Sequence, residues 1–415
     1  MSFHRMALAL VAGVLATDLS AAIDWQNERA VTAAAVANNP TMARVEQEVV
    51  AARERARAAG SLPNPMVMGG LQNKHVDLTD DKIMTMYMVG ATQTFTRGSK
   101  REAARAVAAL DVRAAELELD AVRAEIERDA LLAWYDLAGV DTQLRAAETV
   151  RLLLDAVTAA ARVRYEVGNA EQAEVIRAQL ETIELDNRIL SLRGTRENAR
   201  ARLLPLVGLP PETVIPRLVL EESTGALELG APVEVPADHP ALAAVEAEIA
   251  QREEEIRLAR LLTRPDVSLE VSYGLRPTTK DMFSVVASLE LPVRRSTLIE
   301  PRIREAVALR DAAQRRLEET RREIQRDLSV AAAAHEQANT QLALQNRVLL
   351  PQARLAFEST LASYQNGKSS FDSVLGAETT YLRLELEHIE HYIEHVKAIT
   401  DFQALRRGAR SGARP

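Results

Sequence analysis

The stretch Val267-Ser-Leu-Glu-Val-Ser-Tyr-Gly-Leu275 alternates apolar and polar or small side chains without a break, and Met282-Phe-Ser-Val-Val-Ala-Ser-Leu-Glu-Leu291 resumes the pattern soon after. In the second run Phe283, Val285, Ala287, Leu289 and Leu291 share one face, and Met282, Ser284, Val286, Ser288 and Glu290 share the other. Successive residues of a strand point to opposite sides, so each run presents one apolar and one mostly polar face. Two such runs close together read as a hairpin whose faces meet different surroundings. A membrane-barrel wall, with lipid outside and water within, has this pattern, and so does a sheet half buried in a soluble core.

Working outward, the same landmarks occur twice at one long spacing. Asn39-Pro40 recurs as His239-Pro240 and Asn64-Pro65 as Arg264-Pro265, each 200 positions on. Tyr165-Glu-Val-Gly168 recurs as Tyr364-Gln-Asn-Gly367, 199 positions on. Landmarks that keep register over this distance point to duplication of one structural unit. The repeats span 23–208 and 239–407. Strands are expected at about 65–74, 84–95, 266–275 and 282–292, and turns at about 165–170 and 364–370. Between the repeats, 209–238 holds Pro210, Pro211, Pro216, Gly225, Gly230, Pro232 and Pro236 and reads as a linker, and 408–415 reads as a disordered tail.

In each repeat a helix follows Pro40 or Pro240, since proline suits a first turn. After each hairpin comes a helical pattern of some sixty residues, roughly 90–95 Å long at 1.5 Å per residue, over Glu102 to Tyr165 and Arg302 to Tyr364. Leu110, Leu117, Ala124, Leu131 and Ala138 fall at the seven-residue spacing of a coiled seam. Gly168 and Gly367 tolerate the positive φ that ends a helix, and returning helices run to about Leu204 and Leu405. One chain cannot bury both faces of such helix pairs, nor can four strands enclose a lumen, so the pattern requires oligomerisation.

Composition narrows the function. Of the 415 residues 27% are charged and 4% aromatic, which suits long helices better than a compact enzyme core. A net charge of −8 argues against nucleic acid. There is no Cys, so disulfides, thiolate chemistry and a Cys-linked lipid anchor are not expected. Residues 1–22 read as an export signal, with His4 and Arg5, an apolar stretch from Met6 to Ala16, and Ser20-Ala21-Ala22 as cleavage site. No Gly-rich phosphate loop and no His-Glu-x-x-His spacing support an enzyme. A periplasmic coiled-coil adaptor or scaffold would explain the helices but not the paired hairpins.

The order helix, hairpin, long helix, Gly turn and helix, twice over, resembles the TolC-like outer-membrane efflux proteins. Ala59-Gly60-Ser-Leu-Pro63-Asn-Pro65, Gln93-Thr-Phe95-Thr-Arg97-Gly98-Ser-Lys100-Arg101 and the Tyr-x-x-Gly turns with Asp372-Ser-Val-Leu375 downstream carry the likeness. It implies a mainly α chain with a small membrane β part, three copies forming a twelve-stranded β-barrel on a long α-helical barrel. It implies an outer-membrane location with a periplasmic helical domain, contact with outer-membrane lipid, no cofactor and no catalytic residues. The partners implied are a periplasmic adaptor (membrane fusion protein) and an inner-membrane pump. Adaptor docking falls on Tyr165, Gly168, Asn169 and Ala170 and on Tyr364, Gly367, Lys368, Ser369 and Ser370. Asp372 is either an acidic gate residue or the cap of the returning helix.

Two patterns bear on cargo. Met66 and Met68 share a strand face, as do Met84, Met86 and Met88; thioethers favour Cu(I) and Ag(I), though Met is also ordinary apolar filler. His388, His391 and His395 fall at i, i+3 and i+7, one helical stripe that could ligate Zn, Co, Ni or Cu or simply be a polar face. The motifs flanking the first hairpin are similar to the heavy-metal (CzcC/CusC-like) branch, which implies metal-cation export, with drugs or other small molecules as the alternative.

Overall fold

The computed structural model describes residues 23–73, 85–220, 233–277 and 279–409. The expected signal at 1–22 and Met84 lie outside them. In chain order the elements are α1 (Glu28–Asn38), α2 (Pro40–Ala58), β1 (Met66–Gln72), β2 (Met86–Phe95), α3 (Gly98–Glu166), α4 (Gln172–Leu206) and α5 (Pro240–Leu261). Then come β3 (Val267–Leu275), β4 (Met282–Leu289), α6 (Glu300–Leu344), α7 (Leu350–Gln365) and α8 (Phe371–Arg407). The helix α1 has no counterpart in the sequence reading; Asn27 caps it by accepting from Arg29 N–H.

The repeats are not the compact units. One unit gathers Met1–Arg44, Asp120–His239 and Arg322–Pro415; the other gathers Val45–Leu119 and Pro240–Arg321. Each takes part of both repeats, as expected when duplicated halves pack on each other instead of standing alone.

The second unit holds one antiparallel sheet in the order β1-β2-β3-β4. The pairing of β2 with β3 joins the hairpins of the two repeats, with Val89 opposite Tyr273 and Ala91 opposite Val271. Register aligns the apolar residues across strands, as in Val271 with Val285 and Tyr273 with Phe283. The intervening positions align on the other side, where Thr94 Oγ1 meets Ser268 Oγ at 3.0 Å. Gly90 is required on that side: a Cβ there would stand 2.8 Å from Ser272 Cβ.

In the first unit α3 is largely buried between Ala121 and Val150, with Ala121, Ala130, Ala138 and Ala147 admitting close neighbours. Gly139 is one such approach, since a Cβ would meet Ile393 Cγ1 of α8 at 2.7 Å. The long helix of the second repeat departs from expectation. Five-residue π-turns at Arg295–Ile299 and Gln345–Leu349 precede Pro301 and Pro351, and Glu300 and Leu350 N–H bond five residues back to Arg295 and Gln345. Proline removes one N–H and its ring collides with the carbonyl four residues earlier, and a widened turn relieves both.

The stretch read as a linker is largely structural where it is described. Leu209, Ile215 and Leu218 are buried among Trp25, Trp134 and Leu203. Arg200 Nη1 donates to the carbonyls of Pro211 and Thr213 at 2.8 and 2.7 Å, and Arg196 Nη2 to that of Ile215 at 3.0 Å. Prolines keep this chain extended, and arginines of α4 satisfy its bare carbonyls. Val233 and Val235 pack on Leu328 and Phe402. At the other end, Gly408 is the left-handed cap of α8 and Ala409 is buried, so 408–409 belong to the fold and not to a tail.

Asp141 is the pivot. Its fully buried carboxylate accepts from Arg196 Nε at 2.6 Å and from Leu218 N–H at 2.8 Å. Removing it strands a buried guanidinium and an N–H. Asp141→Ala is expected to cost about 3–5 kcal/mol in denaturant unfolding, while Arg57→Ala, from the exposed Arg57–Glu54 pair, costs about 1 kcal/mol or less. Equal costs would remove this assignment.

Candidate functional site: the sheet faces and the helix-tip turns

The sheet is inverted relative to a soluble protein. Its apolar face is the exposed one: Val285 is 57% exposed, and Val67, Val89, Val271 and Phe283 are likewise open. Its other face is polar or small and is sheltered over the central strands β2 and β3, where Ser272 is only 5% exposed, while the edge strands stay open there, as at Met66 and Ser288. An exposed contiguous apolar wall backed by a polar face is the arrangement of a strand between lipid and water. Register puts Met66, Met68, Met86 and Met88 on this second face, through Met66 opposite Thr92, Met68 opposite Gly90, Gly70 opposite Met88 and Gln72 opposite Met86; Met86 is buried, Met68 and Met88 half-buried and Met66 open. Met282 joins them opposite Gly274, and the Met86 side chain fills the space a Gly274 Cβ would need.

In the other unit the two Gly turns have the same hydrogen bonds. Gly168 and Gly367 sit at φ +76° and +70°. Gly168 N–H bonds Tyr165 O and Asn169 N–H bonds Arg164 O; Gly367 N–H bonds Tyr364 O and Lys368 N–H bonds Ser363 O. These are the paired bonds that close a helix through a left-handed glycine. The tyrosines differ. Tyr165 is 45% exposed and Tyr364 1%. Tyr364 lies edge-on to Phe371 with centroids 5.6 Å apart, under the Arg164 guanidinium at 4.4 Å, and its hydroxyl meets Glu174 at 3.2 Å. Burial and the Glu174 carboxylate push its hydroxyl up to about 12. Arg164 Nη1 also donates to Tyr364 O at 2.6 Å, tying the two turns together.

A family model, outer membrane efflux protein, matches residues 31–209 and 231–391. The chain belongs to the outer membrane efflux protein family. Its fold is similar to a membrane protein from Pseudomonas aeruginosa (19% identity, TM-score 0.78, covering 94% of this chain and 92% of that one). It is similar also to the outer membrane protein VceC of Vibrio cholerae (16%, 0.73, 92% and 97%) and to CusC (17%, 0.75, 92% and 92%). No curated protein matches. Membership makes this outer membrane efflux protein a non-enzymatic channel component of the outer membrane with a periplasmic helical domain. No described helix is long and apolar enough to cross a membrane.

Within this efflux protein the turn residues Tyr165, Gly168, Asn169, Ala170, Tyr364, Gly367, Lys368, Ser369 and Ser370 lie in one unit. Ser370, not Asp372, caps α8, its hydroxyl accepting from Ser373 N–H at 3.3 Å. Asp372 sits in the first turn and pairs with Arg177 of α4 at 2.6 Å, both side chains well exposed. The three histidines do not converge as a metal centre. His391 Nδ1 meets Glu394 at 3.2 Å, His388 is buried, and His395 stacks on His335 of α6 with ring centroids 4.8 Å apart. Among the described residues no group of three or more His, Asp or Glu is placed to hold a metal ion. A histidine stripe on one helix cannot reveal that a neighbouring helix fills the space between its members.

Sequence reasoning missed Arg164, Arg177 and Glu174, because a charged residue near a helix end ordinarily points to water. It also missed Glu378, fully buried on α8, whose carboxyl is raised to about 7 by burial and then by Glu181, with Thr379 opposing. Between pH 4.5 and about 7 the folded chain holds a proton that the unfolded chain has released, so this group's destabilisation grows as pH rises through that window. Glu378→Gln, which keeps the neutral shape, is expected to raise stability by about 1–3 kcal/mol at pH 8 and to leave it near wild type at pH 4.5. Thermal unfolding in detergent at both pH values checks this; equal gain at both would refute it.

Proposed function

We propose that three copies of this chain close a twelve-stranded β-barrel in the outer membrane and a helical tunnel beneath it, forming the exit duct of a tripartite efflux system. The observation that carries the reading is the exposed apolar face of a sheet whose polar face is sheltered over its central strands. Four strands cannot enclose a lumen, and β1 and β4 lie at the two edges of the sheet, each with an unsatisfied row of backbone groups. Pairing the β4 edge of one copy with the β1 edge of the next satisfies both. Exposed apolar residues along α4 (Ile176, Leu180, Ile183, Leu190) and along the second repeat's long helix (Leu344, Val348, Leu355) supply the packing between copies below.

The two Gly turns form the periplasmic tip, where Tyr165, Gly168, Asn169 and Ala170, and Gly367, Lys368, Ser369 and Ser370, receive an adaptor that links the duct to an inner-membrane pump. Asp372 stands at the pore mouth, its carboxylate held by Arg177 in the resting arrangement. The cargo is a soft heavy-metal cation. Support comes from the thioethers of Met66, Met68, Met86, Met88 and Met282 on the polar sheet face, beside Thr92 and Ser272, where Cu(I) or Ag(I) would find weak successive ligands.

Charge scanning tests the duct. Val285→Glu, in the middle of β4, is expected to abolish assembly into membranes and Leu289→Glu, at its end, to impair it less, whereas Ser284→Glu and Ser288→Glu assemble; a lipid-facing charge near mid-membrane costs several kcal/mol. Equal tolerance on both faces, or a soluble monomer without detergent, would sink the reading. The Met86→Leu/Met88→Leu double variant, which keeps volume and loses sulfur, is expected to lower silver resistance and leave dye efflux unchanged; loss of neither would exclude a thioether path.

A further inference from the structure

A cavity of about 410 Å³ opens in the unit that carries the sheet, immediately past the ends of β3 and β4. Residues leading into β3 wall one side and those leaving β4 the other, and Lys100 and the start of α6 complete it. Four cationic side chains face two carboxylates around it: Lys100, Arg264, Arg294 and Arg302 against Asp266 and Glu290. Lys100 is already neutralised by Asp266 at 2.8 Å, and Asp266 also accepts from Arg97 N–H at 3.0 Å. Arg264, Arg294 and Arg302 are exposed, and none has an ion-pair partner among the described residues. Leu291, Val293 and Leu298, all open to solvent, stand beside them.

We propose that this cavity is a headgroup site for an anionic phospholipid of the periplasmic leaflet. The inference rests on the barrel reading, since it takes the exposed apolar wall to be the lipid-facing one. That wall ends at Val267 and Leu289, and the cavity begins there on the helix side, which is the level of headgroups facing the periplasm. Guanidinium groups match phosphate oxygens with paired, charge-assisted hydrogen bonds, and long arginine stems reach a headgroup while their carbons stay against apolar surface. Three arginines without carboxylate partners at a membrane surface form a local attraction for anionic lipid. A free phosphate would answer the charge alone. The exposed Val267 and Leu289, where the apolar wall meets the cavity, call for acyl chain as well, and a lipid supplies both.

The full-length protein reconstituted in phosphatidylcholine nanodiscs doped with phosphatidylglycerol provides the test, read by native mass spectrometry of retained lipid. Retained phosphatidylglycerol is expected to exceed its share of the bilayer, and millimolar inorganic phosphate is expected not to displace it. The combined Arg264→Gln/Arg294→Gln/Arg302→Gln variant should lose that retention by on the order of 100-fold, at about tenfold or less for each cation. The matching triple Lys variant should keep most of it. Equal retention of the two lipids by wild type, or displacement by phosphate, would overturn the proposal even if the Gln variant failed to assemble. Failure to enter nanodiscs at all would instead count against the barrel; insertion without lipid preference would remove only the headgroup site.

Discussion

The sheet faces dictate what the rest of the molecule can be. Burying an apolar side chain is worth about 1.5–3 kcal/mol, and this chain leaves a whole sheet face of them exposed while covering the serine, threonine and glycine positions of its two central strands. No folded chain in water keeps such an arrangement when flipping the register by one residue would reverse it. Register here is instead pinned on the sheltered side, where Gly90 fits against Ser272, Thr94 meets Ser268, and Met86 covers Gly274. The polar face therefore carries the specificity of the sheet, and the apolar face is left for a solvent other than water.

The helical unit solves a different problem. Long helices that must pack on both sides need small residues at their contacts and have no single core, so stability is distributed along seams. Points of firm closure are then few and worth identifying. Asp141 is one, where a buried carboxylate fixes both α4 and the extended chain after it. Arg164 is another, joining the end of α3 to the Tyr364 turn by a hydrogen bond and by its position over the ring. The first holds the extended chain after α4 in place; the second ties together two turns that the duplication made alike and burial made unequal.

What could be read from residues alone was whatever has a period or a punctuation mark. Strand alternation in Val267–Leu275, the 199-residue recurrence of Tyr-x-x-Gly and the glycines that needed positive φ are all local patterns. The pairing of β2 with β3 is not local: nothing in either strand names its partner across more than 170 residues. Proline misled in one place. In 209–219 it marked extended chain, which looked like a linker until arginines of α4 were found bonding its carbonyls. The run from Arg302 to Tyr364 reads correctly as helical, but its π-turns leave no such local pattern, since they only absorb the hydrogen bonds lost at Pro301 and Pro351. His335 was invisible for want of context, a single histidine after Ala331–Ala334 whose partner lies sixty positions on in His395.

Three buried titratable groups of the helical unit, Glu378, His335 and His395, are tuned towards neutrality. Burial raises Glu378 to about 7, so the fold favours its protonated form. Burial lowers His335, with Glu336 opposing, and lowers His395, to which His335 adds, so the fold favours their neutral forms. The signs differ in consequence. For a raised carboxyl, stability is lost as pH climbs towards 7; for lowered imidazoles it is lost as pH falls below the ordinary value of 6.5. Each group resists charge because the seam offers it little counter-charge: Glu378 feels Glu181, and His395 feels another imidazole. Ion pairs join the same helices elsewhere: Arg196 with Asp141 and Arg151 with Asp186 link α4 to α3, and Lys397 with Asp136 links α8 to α3. Sliding one helix past another would have to break those pairs as well as the exposed Arg177–Asp372 pair at the turns, so each neutral group eases only its own stretch of the seam.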